Sequence, residues 1–242
     1  MLRHLGTKRT YLHNVKLASL LGVTAGFVNA AGFLAFAVLT TNVTGHAALF
    51  AEAIAMQQWQ NVRVIALWMF LFFAGAFLSS LIISRVGKNQ PYSYVIPLLI
   101  EVVILLSVAL LGSRYDNSLV YKEFFAGSLL FAMGLQNSLV TMVSGSVVRT
   151  THLTGTFTDL GIELAQFIQK KHDDRPALTG RIKLHSAIIF FFLIGALGGA
   201  YLFGIYRFYA FVVPVIILCY TLMYDVFRIK LKRFYTHFNK NV

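Results

Sequence analysis

Two stretches decide the fold: AGFVNAAGFLAFAVLTTNVTG at residues 25–45 and MGLQNSLVTMVSGSVVRTTHLTG at residues 133–155. Each contains the pattern Gly-x-x-Asn inside an apolar run and ends on the motif Thr-Thr-x-x-Thr-Gly. Gly26 corresponds to Gly134 at an offset of 108 residues, and Thr40 corresponds to Thr150 at an offset of 110 residues. Two matched patterns in the same order indicate an internal duplication.

Two further matches extend the duplication. Phe-Ala-Gly-Ala, ending at Ala76, corresponds to Leu-Ile-Gly-Ala, ending at Ala196, and Val-Ile-Pro97 corresponds to Val-Val-Pro214. Their offsets are 120 and 117 residues, so the order is kept and gaps fall where loops differ. We therefore predict a single membrane domain with a first repeat at about 14–113, a second at about 121–229, and a basic cytoplasmic tail at 230–242.

The composition is that of a membrane protein. Hydrophobic residues make up 57% of the chain, charged residues 12%, and the mean hydropathy is +0.70. A soluble domain carries about a quarter charged residues, and a helix needs about 20 apolar residues to cross a bilayer. Uncharged or nearly uncharged runs predict six spans: one within 17–51, and the others at 64–84, 90–113, 124–148, 184–206 and 208–224.

Three spans per repeat is an odd number, so the second copy must enter the membrane from the opposite side. The predicted fold class is an all-α polytopic transmembrane protein with six membrane-spanning helices plus two short re-entrant or interfacial helices, arranged as two inverted three-helix repeats. The short helices are predicted from Ala47 to about Gln60 and from Thr156 to Gln169. If both were full spans, the chain would cross eight times and the repeats would be parallel. Inverted repeats are common among secondary transporters.

The basic residues indicate an orientation in the membrane. All but four of the 21 lysines and arginines fall in segments that lie on one side of the predicted topology. The four on the other side are Arg63, Arg114, Lys122 and Arg207. The positive-inside rule therefore places both termini in the cytoplasm. We interpret the net charge of +12 as a result of membrane topology and of contact with lipid headgroups, and we predict no nucleic-acid partner.

The two Thr-Gly motifs are the strongest candidates for a binding site. Hydroxyl groups and glycine supply the donors, acceptors and dihedral freedom that broken backbone in a membrane needs. If Thr44 and Thr154 are the N-caps of the short helices, two positive helix ends point inward, and such a pair suits an anion or a carboxylate. The alternative is a pair of capped turns without a ligand. The predicted substrate-binding residues are Asn29, Thr40, Thr41, Thr44, Gly45, Gln136, Asn137, Arg149, Thr150, Thr151, Thr154 and Gly155.

Glu101 lies near the centre of the third predicted span, and its repeat counterpart is Leu218. Ionisable groups at that depth are costly and are interpreted as functional, so Glu101 is the candidate for proton coupling, against the alternative of a packing role.

Other polar residues are secondary candidates. Asp159 and Glu163 are four residues apart on one predicted helix face, and Glu52 occupies the first short helix. All three are either cation ligands or parts of a solvated face. His46 and His152 lie beside the two motifs, but no spacing typical of a metal site accompanies them, so we predict no metal.

The motifs resemble those of the YoaK-like family, bacterial membrane proteins grouped as domain of unknown function 1275. The resemblance depends on Ala-Gly-Phe-Val-Asn-Ala at 25–30, on Gly-Leu-Gln-Asn at 134–137, and on the run from Arg149 to Glu163. It extends from about residue 15 to 230. The resemblance implies a location in the bacterial inner membrane and carries no agreed activity.

The leading hypothesis is a small transporter or channel with a midplane site between the repeats for a small anionic or zwitterionic solute. The alternative is a non-transporting membrane scaffold or a protein that binds lipids or partners. A membrane-embedded enzyme is the weakest option, because the chain lacks a nucleophile elbow, a zinc-protease motif and a phosphate loop. We predict no cofactor, membrane lipids as partners, and a homo-oligomer as one option.

Overall fold

The computed structural model describes residues 11–87, 93–114, 119–144, 147–169 and 175–224. Within these ranges the chain folds into helices joined by short turns and contains no strand. In chain order the helices are α1 (Tyr11–Phe36), α2 (Thr44–Ala55), α3 (Trp59–Val86), α4 (Val95–Leu111), α5 (Leu119–Ser144), α6 (Leu153–Gln169), α7 (Arg175–Tyr206) and α8 (212–224). The remaining residues, which include the predicted tail at 230–242 and the last residues of the predicted second repeat, lie outside the described ranges.

Five described segments are long and apolar enough to cross a membrane: Leu12–Phe36, Trp59–Val86, Val95–Arg114, Val120–Ser144 and Arg175–Tyr224. Their outer surfaces are apolar. On α3, for example, the side chains of Phe70, Phe73 and Phe77 are each about 60% exposed. A soluble protein rarely exposes contiguous apolar surface of this kind, whereas lipid solvates it. The chain is therefore a multi-pass membrane protein.

The last of these segments contains 50 residues and reverses direction within itself. A 3-10 turn at Arg207–Phe211 separates α7 from α8, and Arg207 adopts a φ of 51°. At the turn, the Phe208 ring centroid lies 5.7 Å from that of Phe36, at the end of α1. At the far end of α8, the Tyr224 ring lies 5.6 Å from the Lys16 ammonium, near the start of α1. Thus α8 runs antiparallel to α1.

Helices α1 and α7 lie side by side, parallel and with their backbones in contact. The missing side chain of Gly26 makes room for the carbonyl oxygen of Phe192, because a Cβ at Gly26 would overlap that atom. Reciprocally, a Cβ at Gly195 would overlap the carbonyl oxygen of Val23. In lipid, where apolar burial contributes little, small residues allow this close van der Waals packing between helices.

Helices α3 and α5 repeat the same contact. A Cβ at Gly134 would overlap the carbonyl oxygen of Phe72, and a Cβ at Gly75 would overlap that of Phe131. Every residue of this set follows from the α1–α7 set by the offsets found in the sequence, 108 between α1 and α5 and 120 between α3 and α7. The two helix pairs therefore share one packing geometry.

The two pairs meet where α1 crosses α5 in the opposite direction. The Gln136 side-chain amide, in the second half of α5, donates to the Leu21 carbonyl, in the first half of α1, at 2.9 Å. At the other ends of these helices, the rings of Phe36 and Phe125 stack with centroids 6.0 Å apart. Helices matched by the offset of 108 residues thus run antiparallel.

The glycine contacts generate a matched pair of substitutions on α7. Gly195→Ala should destabilise the protein by about 1–3 kcal/mol, because a methyl group fixed to the backbone cannot rotate away from the Val23 carbonyl. Gly198→Ala should leave stability unchanged or raise it slightly, since no atom lies within 4 Å of its added Cβ and alanine favours a helix. Thermal unfolding of the purified protein in detergent measures both. Equal melting temperatures for the two variants would contradict the packing model.

Candidate functional site

The first Thr-Gly motif folds back onto α1. The Thr40 hydroxyl donates to the Val28 carbonyl at 3.3 Å, and the Thr41 backbone N–H donates to the Asn29 side-chain oxygen at 3.2 Å. Thr40 is fully buried and Thr41 is buried. The hydrogen-bond partner of Asn29 thus belongs to the motif that follows α1. These hydrogen bonds hold the segment between α1 and α2 against α1.

The predicted N-caps are wrong. Thr44 is the first residue of α2, the N-cap position is Val43, and no side-chain hydrogen bond caps the helix there. The Asn42 side-chain oxygen instead accepts the Gly45 N–H at 3.0 Å. In the second motif the helix begins one residue before Thr154, at Leu153. Asparagine is as good an N-terminal acceptor as threonine, and here it lies two residues earlier than the sequence pattern suggested.

His46, at the start of α2, is held in place by a hydrogen bond and a ring contact. Its Nδ1–H donates to the Asn42 carbonyl at 2.6 Å, and its ring meets the Trp68 ring edge-on with centroids 6.0 Å apart. The residue is 3% exposed. Burial lowers the pKa of His46 below its ordinary value of 6.5, although the hydrogen bond to the Asn42 carbonyl opposes that shift.

The second motif follows a turn at the end of α5. The Ser144 hydroxyl both donates to the Val148 carbonyl at 3.1 Å and accepts the Val148 N–H at 3.0 Å. Thr150 is fully buried, and its hydroxyl has no hydrogen-bond partner in the described part of the chain. Arg149 beside it is exposed, Thr151 is half-buried, and Thr154 lies on the surface.

A polar cavity of about 130 Å³ opens beside this motif, between the turn, α6 and α7. Its walls carry a guanidinium group, two imidazoles and a carboxylate, in a lining that comes entirely from the second half of the chain. The lining residues are Val147, Arg149, His152, Gly155, Thr156, Asp159, His185 and Ile188. The structure therefore brings three predicted site residues together here, Arg149, Gly155 and Asp159, and adds His152, which lies beside the motif.

A side-chain hydrogen bond holds α6 against α7 at the edge of the cavity. The His185 Nδ1–H donates to a Glu163 carboxylate oxygen at 2.8 Å, and the two side chains are 15% and 7% exposed. Asp159 lies one turn earlier on the same helix and stays exposed. Of the two acids predicted to share a face, Glu163 is therefore used between helices and Asp159 faces the cavity. Glu52 on α2 is exposed.

The matched position in the first half lacks the arginine and the two acids. The offsets of 110 and 120 residues carry the main cavity residues and the adjacent Glu163 onto counterparts in the first half. The pairs are Arg149 and Leu39, His152 and Asn42, Asp159 and Leu49, Glu163 and Ala53, His185 and Ile65, and Ile188 and Trp68. Burial follows the same offsets, since Glu163 and Ala53 are both buried, as are Ile188 and Trp68. The packing is similar in the two halves, but the charges are confined to the second half.

Two further buried polar groups lie away from the cavity. Gln136 is fully buried, and its side-chain oxygen has no partner in the described residues, although its amide donates to Leu21. Glu101 on α4 is 1% exposed, and one of its carboxyl oxygens likewise has no partner there. The Asn137 side chain is half-buried, and its backbone carbonyl accepts the Thr141 hydroxyl at 2.8 Å.

The model of the DUF1275 family, proteins of unknown function, matches residues 17–224. The chain belongs to the DUF1275 family. This confirms the resemblance found at the Thr-Gly motifs, and the match covers α1 to α8 except for the first turns of α1. No curated protein and no solved structure matches the chain.

Sequence reasoning on this DUF1275 member missed His185. The residue follows Lys183 at the edge of the uncharged run 184–206, where a histidine is typical of an interfacial position. The available signal was the repeat itself, because the counterpart of His185 is Ile65 and a polar residue opposite an apolar one marks a departure from symmetry. In the described residues no group of three or more histidine, cysteine or acidic side chains is placed to hold a metal ion.

His46 predicts a pH-dependent stability of this DUF1275 member. Because its folded pKa lies below the unfolded value of 6.5, the unfolded state takes up the proton more readily as the pH falls. Stability is therefore present above about pH 6.5 and is lost as the pH falls towards the folded pKa. Melting temperatures at pH 8 and pH 5.5 should differ less for His46→Gln than for the wild type. His152→Gln, which changes an exposed ring, should keep the wild-type difference; an unchanged difference in His46→Gln would contradict the assignment.

Proposed function

We propose that this DUF1275 member is a small membrane transporter for a small anionic or zwitterionic solute, built from two inverted three-helix repeats. The observation that supports it is the repetition of the interhelical glycine contacts at constant sequence offsets, while the matched helices α1 and α5 run antiparallel. A two-fold axis in the membrane plane has this effect, and inverted repeats related in this way are common among secondary transporters.

Six crossings account for the helix directions. Helices α1, α4 and α7 cross one way, and α3, α5 and α8 cross the other way, with repeats at about 14–113 and 121–229. Helix α2 has 12 residues, which is about 18 Å, and packs against the start of α3; α6 packs against the start of α7. The two short helices then lie at opposite faces of the membrane, near the interfaces.

The positive-inside rule assigns the two faces. It places both termini and α6 on the cytoplasmic side of a bacterial inner membrane and α2 on the outer side. The polar cavity beside the second motif would then open towards the cytoplasm. His46 and Trp68 fill the corresponding place at the outer face.

The solute path is proposed where the two packed pairs meet. Each packed pair combines one helix from each repeat, α1 with α7 and α3 with α5. The two bodies that move against each other would therefore be these two packed pairs. Gln136 lies at the contact between the pairs, and its side-chain oxygen has no partner within the described ranges. A Cβ at Gly112, just after α4, would overlap the Phe208 ring before α8. Glu101 on α4 and its counterpart Leu218 on α8 lie at about the same distance along the chain from this contact between Gly112 and Phe208.

Gln136 and Glu101 are buried polar groups of the kind that a binding site at the membrane midplane requires. Unpaired polar atoms inside a membrane protein cost free energy and persist at sites with a function. Glu101 is the proposed proton carrier, since coupling needs one such group and its counterpart is leucine. The predicted residues of both Thr-Gly motifs would form the turns on which each short helix moves.

Orientation can be tested with single cysteines introduced after Cys219→Ala. Gly87→Cys and Lys183→Cys should react with an impermeant maleimide only from the cytoplasmic side, and Gln58→Cys only from the outer side. Labelling intact cells and inside-out vesicles measures this. Reaction of Gly87→Cys and Lys183→Cys from different sides would contradict the inverted arrangement, because it would make the repeats parallel.

Transport can be tested by solute uptake into proteoliposomes with and without a pH gradient. We expect a pH gradient to drive accumulation by the wild type. Glu101→Gln should keep downhill exchange but lose the response to the gradient, because the amide preserves the shape and cannot release a proton. Leu218→Gln, at the matched position, should keep the gradient response. Absence of flux for phosphate, carboxylates and amino acids alike would favour the alternative, a non-transporting scaffold.

A further inference from the structure

We propose that the polar cavity beside the second motif is a cytoplasm-side binding site for a zwitterion, a small molecule with one carboxylate or phosphate group and one ammonium group. The inference deepens the proposed transport function and depends on it for the direction in which the solute moves. Binding itself does not depend on transport and can be measured separately.

Two side chains of opposite charge face the cavity. Arg149 and Asp159 both line it, and within the described part of the chain neither makes an ion pair. The nearby acid Glu163 is already engaged by His185. An anion alone would meet repulsion from Asp159, and a cation alone would meet repulsion from Arg149. A zwitterion offers each side chain a charge of opposite sign, so it suits the pair best.

The geometry separates an anionic end from a cationic end. Arg149 lies just before α6, whose first residue is Leu153 and whose free N–H groups attract negative charge. Asp159 lies six residues further along, which is roughly 9 Å of helix. The carboxylate or phosphate group is therefore assigned to the start of α6, and the ammonium group to Asp159.

Gly155 shapes the anionic end. A Cβ at this position would overlap the His152 imidazole, so the absent side chain lets that ring lie over the first turn of α6. The ring forms one wall of the cavity beside Arg149, and the half-buried His185 forms another. These rings give the cavity hydrogen-bonding walls in addition to the two charged groups.

The first half of the chain provides a natural comparison. At the positions matched to Arg149 and Asp159 it has Leu39 and Leu49, so a matching turn and short helix occur there without a charge at either of these positions. The zwitterion site therefore belongs to the second half. Leu39 and Leu49 are 36% and 49% exposed, which makes them suitable positions for control substitutions.

The test is calorimetric titration of the purified full-length protein in detergent micelles. The zwitterionic probes are glycine, β-alanine and γ-aminobutyrate, which differ in charge separation; the single-charge probes are acetate, methylamine and inorganic phosphate. We expect at least one zwitterion to bind about ten-fold more tightly than every single-charge probe. Arg149→Gln and Asp159→Asn should each weaken that zwitterion about ten-fold, and Leu39→Gln and Leu49→Asn should leave it nearly unchanged.

Two of the expected results are increases in affinity, which distinguish a specific effect of the substitution from misfolding. Asp159→Asn should bind acetate or phosphate more tightly than the wild type does, because a repulsive carboxylate is gone. Arg149→Gln should bind methylamine more tightly for the corresponding reason. A misfolded variant shows neither gain. The proposal is overturned if no probe binds at millimolar concentration, or if phosphate binds best and Asp159→Asn does not change its affinity.

A further arm distinguishes the two sources of such a ligand, a free solute and a lipid headgroup. Phosphatidylethanolamine carries a phosphate and an ammonium group, so nanodiscs of phosphatidylglycerol with and without it are compared. Loss of free-zwitterion binding in its presence would identify the headgroup as the occupant, and unchanged binding would identify a free solute; either result supports the site. Zwitterion binding without flux would overturn transport and keep the site. Flux that both variants leave unchanged would overturn the site and keep transport.

Discussion

The structure depends on the contact between backbones at four glycines. Gly26, Gly75, Gly134 and Gly195 each lie against a carbonyl oxygen of the facing helix, at a distance that no side chain could share. In water, burial of apolar surface would hold helices together, but lipid solvates their outer faces just as well. Close packing then supplies the attraction, because dispersion forces grow with the number of atoms in contact. These contacts fix how α1 pairs with α7 and how α3 pairs with α5.

The same contacts pair helices from opposite halves of the sequence. Helix α1 packs on α7 and α5 packs on α3, so neither half of the chain forms its own bundle. The exchanged pairs meet along α1 and α5, where the Gln136 side-chain oxygen has no partner among the residues that the structure describes. A surface that combines tight packing within each pair with unsatisfied polar groups between them is suited to relative movement, which is why the proposed transport path lies there.

Within this nearly symmetric frame, the chemistry is asymmetric. The cavity beside the second motif carries Arg149 and Asp159, whereas the matched place in the first half carries leucines and is filled by His46 and Trp68. Glu101 departs from symmetry in the same way, with Leu218 as its counterpart. A duplicated scaffold needs the same packing residues twice, but a single binding or proton-carrying group is enough. Positions where the two copies differ in charge are therefore the informative ones.

The sequence by itself determined the membrane class, the membership in the DUF1275 family and the approximate positions of the helices, because long uncharged runs and repeated glycine motifs are local signals. It did not give every boundary, since α7 begins at Arg175, well before the predicted run 184–206. It also indicated which residues would be buried, since Glu101 and Gln136 lie inside apolar runs. Only the tertiary structure decided what those residues contact. Asn29 meets Thr41 twelve residues away, and Glu163 meets His185 twenty-two residues away. Contacts of this kind depend on how helices pair in space, and no local pattern records the pairing.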